Sequence, residues 1–127
     1  MNFVSRPRTE SPGAPLLDEH VFHEILGELG DVHAREMMQM VERDARKRLL
    51  ALVDCVARRD RRAIHVHAHA LAGLLGHFGL ARAALCARAL EAGPQEGAAS
   101  LGALQMACDQ AFLVVAIRLV QDPKRAA

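Results

Sequence analysis

The stretch AIHVHAHALAGLLGHFG, residues Ala63 to Gly79, holds four of the seven histidines of a 127-residue chain, set among alanine, leucine and glycine. An α-helix turns about 100° per residue, so spacing decides which of these side chains share a face. With His69 at zero, His65 falls at about −40°, Ala72 at about −60°, Gly73 at about +40° and Gly76 at about −20°. Ile64, His67, Leu71, Leu74, Leu75 and Phe78 fall about 120° to 180° away, on the side predicted to meet a core. The face around His69 is therefore neither apolar enough for a core nor charged like an ordinary solvent face. A helix-interior glycine costs about 1 kcal/mol against alanine. Gly73 and Gly76 thus call for a reason: close approach of a neighbouring helix, or access of a partner surface to the imidazole.

The same arithmetic bears on metal binding. In HVHAH the i, i+2 pairs diverge by about 200°, so His65, His67 and His69 cannot share one ion from a single helix. Only His65 and His69, at i and i+4, could do so, and a third ligand would have to come from elsewhere. The chain contains no HExxH. His67 is expected half-buried, His77 near a helix end, and His20, His23 and His33 as surface or helix-packing residues.

Outward from this segment the pattern is helical throughout. Half the residues are apolar, yet Trp and Tyr are absent and Phe occurs only four times. A core of Ala, Leu, Val, Met and Ile favours helices over strands. A short helix is predicted over about Leu17 to Leu29, stopped at Gly30. The next starts near Asp31 and runs to about Arg59, with Met38, Val41, Ala45, Leu49, Leu52 and Val56 as one buried stripe and Glu42, Arg43, Arg46 and Lys47 outside. Asp60 interrupts the basic run Arg58 to Arg62 and can cap a helix over Arg61 to Phe78, which Gly79 ends. A helix over Leu80 to Ala92 stops at GPQEG. The last spans Ala98 to Gln121, with Leu101, Leu104, Cys108, Phe112, Val115 and Leu119 in register. The fold expected is all-α: an up-and-down antiparallel four-helix bundle with a short extra N-terminal helix, over residues 17–121. Residues 1–16 read as a flexible lead and 122–127 as a flexible tail.

Composition excludes several functions. Lys and Arg number 16 against 15 Asp and Glu, a formal net charge of +1. Strong attraction to nucleic acid is not expected, and stacking platforms for single strands are missing. Cys55, Cys86 and Cys108 lack CxxC spacing and sit in apolar context, as buried free thiols of a reducing compartment do. No secretory segment and no run of ~18 apolar residues is apparent. A cytoplasmic protein without membrane attachment is expected.

HALAGLLGHFG, residues 69–79, resembles the signature of the histidine-containing phosphotransfer (HPt) family: a phosphoacceptor His followed by Leu at +2, usually Lys at +3, Gly at +4 and Gly at +10. His69, Leu71, Gly73 and Gly79 match. The resemblance extends to Asp60 nine residues before the histidine, to Leu90 and Glu91 near the end of the next helix, and to Leu17 and Asp18 at the start. It spans about Leu17 to Leu119. Two positions depart from it: the usual Lys is Ala72, and the frequent small residue at +5 is Leu74.

The resemblance implies a phosphohistidine carrier rather than a turnover enzyme, accepting a phosphoryl group on His69 and exchanging it with the Asp of a response-regulator receiver domain. Neutral imidazole suits the task, being nucleophilic near pH 7 once its second nitrogen is held by an acceptor. In related domains an acid 22 positions on does this, which is Glu91 here. Arg88, one turn before Glu91, is a candidate charge partner for the phosphoryl group. His65, Ala72, Gly73 and Gly76 would form the receiver docking face. No cofactor or metal is expected on this chain, and Mg²⁺ would come with the receiver. A receiver domain or a hybrid sensor histidine kinase would be the partner, and a monomer is expected. An interaction module that keeps the bundle but has lost the transfer is the alternative, made conceivable by Ala72. The glycines of GLLG lie inside a helix and form no phosphate-cradling loop.

Overall fold

The computed structural model describes residues 13–93 and 97–121. Among the described residues four helices, α1 (Glu19–Ala57), α2 (Arg61–His77), α3 (Ala81–Ala92) and α4 (Gly97–Gln121), make up an all-α bundle. Each packs mainly on two neighbours, α2 on α1 and α3, α4 on α1 and α3. Short turns join α1 to α2 and α2 to α3, as in an up-and-down bundle.

The two helices expected on either side of Gly30 form one element with a break inside it. Gly30 has φ 76° and ψ 167°, a conformation essentially reserved for glycine, so the helical backbone is interrupted there and two helical segments, one before and one after Gly30, meet at a kink. Asp18 caps the start of this element, its carboxylate accepting from the Val21 amide at 3.2 Å. Asp60 caps α2 through the Ala63 amide at 3.1 Å.

Helices α1 and α2 both end in the same way. After α1 the Asp60 amide donates to the Cys55 carbonyl and the Arg59 amide to that of Val56, with Arg59 at φ 56°. After α2 the Leu80 amide donates to Leu75 and the Gly79 amide to Gly76, with Gly79 at φ 79°. Such left-handed stops satisfy carbonyls that a helix end leaves open. Gly79 is also hemmed in, because a Cβ there would lie 3.1 Å from Val21 Cγ1.

The core follows the predicted stripes. Met38, Val41, Ala45, Leu49 and Leu52 of α1 and Leu101, Leu104, Cys108, Phe112, Val115 and Leu119 of α4 are buried, while Val56 is half-buried. Arg46 folds over the Phe112 ring, 5.5 Å from its centroid, and pairs with Asp109 and Glu42. All three cysteines are free and buried, and burial pushes the Cys108 thiol up to about 12.

By length and mean hydropathy α4 is apolar enough to cross a bilayer, although Gln105, Asp109 and Gln110 interrupt any continuous apolar run, as expected. One side of it nevertheless builds the bundle core, while Met106, Leu113 and Val120 remain exposed on the other.

The expected lead is anchored at its described end: Arg82 Nε donates to the Ala14 carbonyl at 3.1 Å, and Leu17 is buried. Residues 1–12, residues 94–96 of the GPQEG segment and the tail 122–127 lie outside the described residues.

Candidate functional site

Helices α2 and α3 make the most extensive pairing in the bundle. Their contact is built on small residues, Ala68 and Ala72 facing a side of α3 that buries Ala83, Ala84 and Ala87. Small side chains let helix axes approach closely. Because α3 runs back along α2, its last turn brings Glu91 beside the middle of α2.

There the Glu91 carboxylate meets His69, with Oε2 2.8 Å from Nδ1. An ionised carboxylate can only accept, so Nδ1 carries the hydrogen and the lone pair of the neutral ring sits on Nε2. The His69 side chain is 74% exposed and that of Glu91 20%. Nε2 has no hydrogen-bond partner among the described residues.

His65 lies one turn earlier with its ring stacked on that of His69, centroids 6.1 Å apart and planes 12° from parallel. Its Nε2 is 3.6 Å from the same Glu91 oxygen. Among the described residues no group of three or more His, Cys, Asp or Glu side chains is arranged to hold a metal ion.

Gly73 is exposed, and a Cβ built on it would meet nothing within 4 Å. Helix packing therefore does not explain this glycine, which leaves the imidazole face flat. Gly76 is different, since a Cβ there would lie 3.2 Å from Arg88 Nη2. Arg88 thus rests across Gly76, seven residues beyond His69, which is about 10 Å along the helix axis.

Ala72 requires a correction. It is only 3% exposed, so it belongs to the contact with α3 and not to an accessible docking face. The buried side of α2, formed by Ile64, Ala68, Leu71, Ala72 and Leu75, is centred nearer to His69 than the spacing of apolar residues suggested. Leu74 and Phe78, assigned to the core by spacing, are only partly buried. Alanine counts little in an apolar tally, yet here it lines the closest helix contact.

His67 is half-buried on the opposite flank, where Arg48 Nη1 lies 3.1 Å from its Nδ1. Arginine always donates, so this Nδ1 accepts and a neutral His67 carries its hydrogen on Nε2. No sequence motif marks Arg48. It stands 19 residues from His67 in an ordinary charged helix face, and only the packing of α1 on α2 pairs them. His20, His23, His33 and His77 are exposed.

A family model described as Hpt domain matches residues 36–113, more than half of the chain. The match takes in all of α2 and α3, and with them His65, His69 and Glu91. Among curated proteins and solved structures none matches. The match carries with it a phosphotransfer role in two-component signalling, in which such domains generally interact with receiver domains and kinases.

Proposed function

Because the chain belongs to the Hpt domain family, we propose that it is a phosphorelay intermediate that accepts a phosphoryl group on Nε2 of His69 and exchanges it with the Asp of a receiver domain. The observation that carries this reading is the 2.8 Å contact between Nδ1 of the exposed His69 and Glu91. Of the four histidines in α2, His69 combines an exposed ring with an Nδ1 held by a carboxylate.

In the proposed step the Nε2 lone pair attacks phosphorus of the receiver's aspartyl phosphate. The P–N bond forms as the P–O bond to the Asp breaks, and the leaving carboxylate keeps the electron pair. The Nδ1 proton stays where it is. The ring becomes positively charged, and Glu91 stabilises it through a charge-assisted hydrogen bond. Phosphoryl transfer depends mainly on positioning and electrostatics, so a rigid bundle with one exposed nitrogen is a sufficient contribution from this chain. The receiver supplies Mg²⁺ and the acceptor Asp.

The docking face we propose comprises His65, Gly73 and Gly76 around His69, with Ala72 beneath it. Arg88 serves as an outer cation on that face, reached by the phosphoryl group's partner rather than lying against the imidazole. The site of action is the cytoplasm, with the chain acting as a monomer.

Incubation with a phosphorylated receiver domain tests the proposal. Acid-labile label is expected on the wild type and absent from His69→Gln. Equal labelling of both would overturn the assignment, and binding without label on either would favour an interaction module.

A further inference from the structure

An Hpt-type site without a lysine at position 72 leaves a charge problem. A phosphoryl dianion arriving at His69 meets the Glu91 carboxylate, and Ala72 is too short and too deeply buried to intervene. The guanidinium of Arg88 rests over Gly76. The space beside the His69 ring on its N-terminal side is the one faced by position 65, one turn earlier.

His65 occupies that space. Its ring lies parallel to that of His69, and its Nε2 faces the Glu91 oxygen that also faces His69. We propose that protonated His65 is a positioning and charge-balancing residue for His69, clamping Glu91 and supplying the cation that position 72 lacks. The inference rests on the reading of His69 as the phosphoacceptor. The charged and titratable groups near His65 are Glu91 from α3, and His69, Arg61 and Arg62 from α2 itself. Both arginines of α2 are exposed and one turn away, and keep their charge at all pH values used below. Imidazole changes charge near neutrality, so the transfer becomes sensitive to pH in a way that a lysine at 72 would not make it.

The sign follows from the geometry. When His65 is charged, the arriving phosphoryl dianion gains an attractive neighbour that offsets its repulsion from Glu91. When it is neutral, that attraction is lost. One charge at this separation in a solvent-like dielectric corresponds to about a three- to tenfold effect on rate.

The full chain, treated with phosphoramidate as small phosphodonor, provides the test. Initial rate of labelling and phosphohistidine half-life are measured from pH 5.5 to 8.5 for wild type, His65→Gln, His65→Arg and His69→Gln. Ratios between variants remove the titration of His69 itself. Wild type is expected to exceed His65→Gln about three- to tenfold at the acidic end and to converge with it at the alkaline end. His65→Arg should retain the faster behaviour at pH 8.5. Superimposable profiles of wild type and His65→Gln, or a His65→Arg no faster than His65→Gln at pH 8.5, would overturn the proposal. Label retained on His69→Gln would instead overturn the phosphoacceptor assignment, so the two failures are distinct.

Discussion

His67 and His69 stand two residues apart on α2 and look interchangeable in sequence, yet the bundle gives them opposite chemistry. On the α3 side a carboxylate holds Nδ1 of His69 and leaves the Nε2 lone pair facing solvent. On the α1 side Arg48 donates to Nδ1 of His67, and the hydrogen is displaced to Nε2. A nucleophile needs an exposed lone pair, so only the first arrangement offers one. The difference lies in the neighbour, not in the histidine.

The comparison can be broken most severely at Glu91. Glu91→Ala removes the acceptor that fixes the tautomer, and labelling of His69 by phosphoramidate should slow about tenfold, the effect of one charge-assisted hydrogen bond at a partly exposed site. Far-ultraviolet circular dichroism should stay unchanged, because Glu91 is not part of the core. On the other flank, Arg48→Glu should move the His67 hydrogen to Nδ1, visible in long-range ¹H–¹⁵N spectra of the imidazoles. Labelling of His69 should change by less than about twofold, since the altered charge lies on the opposite side of the helix. A tautomer that ignores the substitution would show that the Arg48 contact does not set it.

Gly73→Ala sharpens the contrast between stability and access. With open space for a Cβ and helical backbone, the substitution should stabilise the bundle by about 0.5–1 kcal/mol in urea denaturation. Transfer from a receiver domain should nevertheless slow relative to transfer from phosphoramidate, because only the protein donor must dock on this face. Equal effects on both donors would remove Gly73 from the docking surface.

The smallest expected effect is remote from both histidines. Arg118 pairs with Glu19 at 2.8 Å and lies over the Phe22 ring, and its hydrogen bond holds the Glu19 carboxyl below the usual carboxylate range. A depressed folded-state value means that the contribution is present above the ordinary carboxylate range and is lost as pH falls through the folded value. Both partners are substantially exposed, so Arg118→Ala should cost only about 0.5 kcal/mol at neutral pH in low salt, and less at high salt.

Much of this organisation was legible in the sequence. The apolar periods of α1 and α4 identified the larger core residues from Met38 to Leu52 and from Leu101 to Leu119, because a helix buried on one side repeats its contacts every three or four residues, while Ala34, Cys55, Ala107 and Ala111 were not singled out by that period. Asp60 and Gly79 marked the ends of α2 through local backbone chemistry. Gly30 marks the break between the short first segment of α1 and the rest of it, because glycine allows the backbone conformation that interrupts the helix there. Ala72 was misplaced because alanine fits a surface and a tight interface equally well. Arg48 went unnoticed because nothing local distinguishes it from the other cations of α1.

The sequence by itself determined that the chain is a helical bundle and that His69 lies on a small-residue face, since periodicity, caps and breakers act over a few residues. The tertiary structure decided which atoms meet: Glu91 with Nδ1 of His69, His65 with the same carboxylate, Arg48 with His67, and Ala72 with α3. Those pairings depend on helix separation and rotation, set by packing between segments distant in sequence. They select the tautomer, and with it the nitrogen left free to react.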